Sequence, residues 1–268
     1  MKKKIILTIV VFILLTLDIY LFSNYIYAQL KNKHTLENYE VSKYSEIANS
    51  EFKINKIILF SSASAINQNT NFQKNNWVLD IFEYTDIAIY FSKPDTLTSK
   101  NAIKNLSISN AKFNTSNNKF SPALYYLDAR NFGTDAILSD YKIEDTLEFT
   151  VLNFDNKDNS IMYNTPIFFS DLSNPITLKF TNTLLKNYSI ENNQKLIFDG
   201  TLLSKTPLKL HNLKASLSFD INITNYNNEI YSANLNIDIP LENNEKNIYD
   251  GEIYKTQNMN LSFLKEIK

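Results

Sequence analysis

Acidic side chains grouped beside aromatic rings are the residues of this chain best suited to chemistry. Asp80, Glu83 and Asp86 fall within Trp77-Val-Leu-Asp-Ile-Phe-Glu-Tyr-Thr-Asp86, flanked by Trp77, Phe82 and Tyr84. Glycoside hydrolysis needs two carboxyl groups roughly 5 to 10 Å apart, one to protonate the leaving oxygen and one to attack or to activate water. On a strand, however, Asp80 and Glu83 have opposite parity and face opposite sides unless a bulge intervenes. A second reservoir of acids runs from Asp128 to Asp145. The lone tryptophan, Trp77, serves either as a ligand platform or, as is commoner in a β-sandwich, as core.

Arg130, in Tyr125-Tyr-Leu-Asp-Ala-Arg-Asn-Phe-Gly133, is the one arginine among 27 basic residues. Its planar fork suits bidentate pairing with a carboxylate, for which Asp128 and Asp135 are the nearby partners. Structural pairing is the plain expectation, ligand binding the sharper one. Oxygen-rich Asn153-Phe-Asp-Asn-Lys-Asp-Asn-Ser160 offers acids and amides to a calcium ion, but Lys157 interrupts the ligand positions and no glutamate closes the loop. A solvated turn is the simpler reading.

Other chemistries lack their residues. With no cysteine and only His34 and His211, the chain cannot build a zinc site of nitrogen and sulfur ligands. A Ser-His-Asp device would rest on His211 alone. Phosphate loops need clustered glycines, and Gly133, Gly200 and Gly251 are scattered. No cofactor is expected. A net charge of −1 gives no electrostatic footprint for nucleic acid.

The elements that must position these residues begin at the amino terminus. Met1-Lys-Lys-Lys precedes an apolar run from Ile5 to Phe22 whose only charge is Asp18, and apolar character resumes through Ala28. Such a run matches a hydrocarbon core of about 30 Å. A cleaved secretory signal begins in the same way, yet Ala28 is preceded by Ile26 and Ser23 by Leu21, so no pair of small residues marks a cleavage site. The expectation is a transmembrane signal-anchor helix over residues 5–28 in contact with the lipid bilayer, after a cytoplasmic tip of residues 1–4. Lys2, Lys3 and Lys4 bias that tip to the cytoplasm. Asp18 at mid-helix would cost about 2.5 to 3.5 kcal/mol, less if it lies toward the outer interface.

Residues 29–52 are polar, with Leu36, Tyr39, Val41, Tyr44 and Ile47 at spacings that suggest a weakly amphipathic helix; a stalk is expected. Beyond it, period-two alternation dominates. Leu213, Ala215, Leu217, Phe219, Ile221 and Ile223 share one face, and Lys214, Ser216, Ser218, Asp220, Asn222 and Thr224 the other. After Asn225-Tyr-Asn-Asn228 the pattern returns from Tyr231 to Ile239, which specifies an antiparallel hairpin. Weaker strands are expected at 52–61, 77–82, 87–91, 105–113, 123–127, 146–154, 161–170, 176–181, 195–204, 248–255 and 259–267. In a chain with three glycines, asparagine takes over the turns, being the residue after glycine most tolerant of positive φ.

The fold expected is an antiparallel β-sandwich, immunoglobulin-like or larger, over residues 53–268, following the single transmembrane helix. Two tandem units parting near 155–174 are the alternative. Lysine, asparagine and isoleucine have AT-rich codons, so their abundance reads as codon drift in an AT-rich bacterial genome. Three functions follow as expectations: an extracytoplasmic, non-catalytic binding, adhesive or envelope-structural protein with a cell-envelope protein or glycan as partner; a carbohydrate-active hydrolase or carbohydrate-binding domain; and a pilin-like subunit. The last shares the outline of apolar helix, polar stretch and β-head, but lacks the glycine before a phenylalanine and the acid five residues into the mature helix.

Overall fold

A computed structural model describes residues 44–45, 52–68, 76–92, 98, 102–134, 141–153, 166–191, 206–208, 214–239 and 253–266. The chain divides into two units, Met1–Glu46 with Glu266–Lys268, and Ile47–Lys265. In the smaller unit, Tyr44–Ser45 forms a two-residue extended segment, β1. That corrects the helical expectation at these two residues. The anchor at 5–28 lies outside the described residues, among which no helix is long and apolar enough to cross a membrane.

The larger unit is built of strands. They are β2 (Lys53–Asn67), β3 (Asn76–Ser92), β4 (Ile103–Thr115), β5 (Ser121–Tyr126), β6 (Thr146–Leu152), β7 (Ile167–Phe169), β8 (Ile176–Glu191), β9 (Ala215–Asn225), β10 (Ile230–Asp238), β11 (Ile253–Ser262) and β12 (Leu264–Glu266), the last residue of which counts with the smaller unit. One sheet runs β12-β10-β9-β4-β6-β7, and the other, five-stranded, runs β11-β2-β3-β8-β5. Alternation explains the layering. In β9 every second residue from Ala215 to Ile223 is buried, and Ile57, Leu59, Ile87, Ile89, Leu178 and Phe180 answer it from the other sheet. Both inward faces feed one apolar cluster, so the two sheets form a sandwich. Phe52 is wholly buried in that cluster and belongs to the sandwich, not the stalk.

The hairpin forms as its alternation specifies, with Ile230 opposite Thr224 and Tyr231 opposite Ile223. Its turn is closed by Asn228 at φ 59°; Asn110 (55°) and Asn187 (51°) also adopt positive φ, along with Leu172 (61°). Three asparagines thus do the work that glycines do elsewhere. Three expectations need correction. Residues 77–82 and 87–91 are not two strands but the single 17-residue β3, because the polar Glu83, Thr85 and Asp86 between them are buried within it. The strand expected at 176–181 continues to Glu191 as β8. The sheets are also not wholly antiparallel, since β6 and β7 pair in parallel.

Candidate functional site

Strands β2, β3 and β8 outrun the main core, and what they carry beyond it frames the site. Registers Leu59↔Ile87 and Ile87↔Leu178 place these three in the main core. Two residues further along β2, four further along β8, and two and four back along antiparallel β3, the same inward face turns polar at Ser61, Asn182, Thr85 and Glu83, all with no exposed surface. The Ser61 and Thr85 hydroxyls hydrogen-bond at 2.7 Å, and Asn182 Nδ2 donates to Glu83 Oε1 at 2.7 Å. Asn182 Oδ1 receives no hydrogen bond among the described residues. Past this belt the face becomes apolar again, with Leu79, Ile81, Leu184 and Phe120 in a second, smaller cluster against which half-buried Trp77 packs.

The opposite face of the same sheet holds Phe60, Phe82, Tyr84 and Asp86. Over them folds the segment after β5, a short 3-10 turn at Ala129–Asn131 continuing through Thr134. Phe132 packs on Phe60 with ring centroids 6.3 Å apart. Beneath this cover Asp86 and Lys179 meet at 2.5 Å, their side chains 0% and 1% exposed. Backbone completes the pair: the Gly133 N–H donates to Asp86 Oδ2 at 2.7 Å and Lys179 Nζ donates to the Thr134 carbonyl at 2.7 Å. The ammonium also sits 4.2 Å from the Tyr84 ring centroid. Gly133 has φ 82°, and a Cβ there would meet Phe60 at an ordinary 3.9 Å, so the backbone angle and not space calls for glycine. Burial pushes the Asp86 carboxyl above its usual range, outweighing Lys179 and the Gly133 N–H.

The other acids are committed to neighbours as well. Asp80 accepts from Gln68 Nε2 at 2.9 Å and from the Asn187 N–H at 2.8 Å, the latter at the irregularity where β8 shifts register against β3. The β2–β3 register is unbroken from Asp80 to Asp86, so Asp80 and Asp86 share one face while Glu83 lies on the other. Asp80 and Asp86 stand six residues apart on an extended strand, about 20 Å. The separation and the opposed faces leave this set without the two-carboxylate geometry of glycoside hydrolysis. Asp128 caps the 3-10 turn: it accepts the Arg130 N–H at 2.9 Å, Arg130 Nε at 3.0 Å and Nη2 at 2.5 Å. The Arg130 hydrogen bonds hold the Asp128 carboxyl below its usual range. Asp135, the other partner the sequence offered, lies outside the described residues, as do His34, His211, Gly200, Gly251 and the oxygen-rich run after Asn153.

Sequence reasoning missed a further polar cluster at the hairpin turn. Glu229 Oε2 accepts from Asn225 Nδ2 at 2.8 Å and from the Tyr231 hydroxyl at 3.1 Å, and Lys265 caps Oε1. Hydrogen bonding from Lys265, then from Asn225, lowers the Glu229 carboxyl from its usual range. The only local signal was Asn225 and Glu229 flanking the turn; Lys265 comes from β12, which nothing near the turn announces. Among the described residues no group of three or more His, Asp or Glu is placed to hold a metal ion. Chemically, these arrangements clamp backbone and loops. Comparison with protein-family models, with curated proteins and with solved structures finds no match to this chain.

Proposed function

We propose that the chain is a single-pass membrane protein, held in the lipid bilayer through residues 5–28 with its amino terminus cytoplasmic, whose β-sandwich works outside the cytoplasm as a non-catalytic binding or envelope-structural head. The observation that carries the non-catalytic part is the fate of the acids. Glu83 and Asp86 are wholly buried, Asp80 pins a strand irregularity, and Asp128 is taken up by Arg130. A general acid must reach its substrate, and these four are occupied in holding the sandwich together. With these four so occupied, the reading favoured for the carbohydrate-active alternative is its binding form, with a glycan or another envelope protein as partner. Supporting the anchor are Lys2, Lys3 and Lys4 before the apolar run.

Protease treatment of intact cells, with detection of the β9–β10 hairpin, tests the sidedness. Loss of the hairpin signal from intact cells is expected. Its protection until the membrane is broken would overturn the orientation, and a mature chain starting near Gln29 in the medium would overturn the tether.

A further inference from the structure

Strand β11 ends the five-stranded sheet. It pairs with β2 from Ile253↔Ser61 to Asn258↔Lys56, and no described strand follows it on its other side. Tyr254, Lys255, Thr256, Gln257 and Asn258 are all exposed, and Tyr254, at 62%, is the most exposed large hydrophobic side chain among the described residues. In an antiparallel ladder alternate residues turn their N–H and C=O away from the neighbour, so an end strand presents a row of amide groups to another chain. Proteins usually blunt such edges by shortening them or by adding lysines, prolines or bulges. β11 has one lysine and no proline in ten residues, and its irregularity falls at the far end, between Asn258 and Leu261.

We propose that β11 is the docking site for a second copy of this chain, which adds antiparallel across a two-fold axis at Thr256 so that the five-stranded sheets of both copies continue into one another. The sequence of the strand is compatible with itself in that register. Thr256 meets Thr256, Lys255 meets Gln257 and Tyr254 meets Asn258. The single charge faces an amide. An axis at Lys255 would instead set two ammonium groups face to face, which fixes the register against that slip. Thr, Gln and Asn offer no charge by which to select a charged foreign strand, whereas an identical strand brings the matching row.

A chain without cysteine permits a direct test. Residues directly opposite in an antiparallel pair have Cα atoms about 4.5 to 5.5 Å apart, within the disulfide range. The full chain carrying Thr256→Cys, as expressed in cells and mildly oxidised, is expected to run as a reducible dimer of the 31.0 kDa protein. Lys112→Cys, exposed on the other sheet, should stay monomeric. Coexpressed Tyr254→Cys and Asn258→Cys chains should cross-link to each other, and adding Thr256→Lys to both should abolish that product by placing like charges opposite. Because these side chains are exposed, the variants leave the core intact. Cross-linking at 256 no stronger than at 112, or a product containing a different protein, would overturn the proposal.

Discussion

The buried Lys179 amine lies against the Asp86 carboxyl, the Thr134 carbonyl and the Tyr84 ring. Removing one member of a buried pair strands the other, at a cost of about 3 to 5 kcal/mol, while replacing both with apolar groups is often nearly neutral. Lys179→Met should therefore lower the urea midpoint sharply, and Asp86→Leu added to it should recover much of the loss. The titrating acids act in opposite senses. Asp128 and Glu229 have folded values below their unfolded ones, so each contributes stability above the unfolded carboxylate range that is lost as pH falls through the folded value. Asp86, with a raised folded value, binds its proton more tightly when folded, so its contribution declines as pH rises through that value. Urea unfolding of Asp128→Asn against the parent should show a deficit at pH 7 that closes as the pH is lowered past about 3.9. At this scale the sequence was partly legible. Parity alone separated Asp80 from Glu83, and Arg130 pointed to Asp128. Alternation in Ile176-Thr-Leu-Lys-Phe-Thr181 puts Lys179 on the face opposite Leu178 and Phe180, but the segment covering it comes from 45 residues away, and local alternation holds no trace of that cover.

Among the elements, the β9–β10 hairpin was readable because neither face interrupts its alternation over 11 and 9 residues. β3 was not, since Glu83, Thr85 and Asp86 imitate a break; only their partners on β2 and β8 show that the strand runs through. Phe219, wholly buried at the centre of β9, should cost about 3 to 5 kcal/mol as Phe219→Ala. Asn236→Ala, on the wet face of β10, should stay within about 0.5 kcal/mol. In the turn, Asn228→Val forces a branched side chain into left-handed backbone and should cost about 1 to 2 kcal/mol, whereas Asn228→Gly should be close to neutral. Denaturant titration of the four variants orders them, and a harmless Asn228→Val would contradict the role given to that φ.

For the larger unit taken whole, the absence of cysteine means that apolar burial between the sheets, and no covalent staple, holds the fold. Its melting temperature should therefore be indifferent to reductant, as scanning calorimetry with and without dithiothreitol will show. The buried hydroxyl, amide and carboxyl row of Ser61, Thr85, Glu83 and Asn182 has a dynamic counterpart. It divides one continuous strand between a large apolar reservoir around Ile87 and Ile89 and a small one around Leu79 and Ile81. Local opening follows local apolar contact, so the two ends of β3 should unzip independently. Amide deuterium uptake should run faster at Leu79 and Ile81 than at Ile87 and Ile89, giving a single strand two protection levels with the boundary at Glu83.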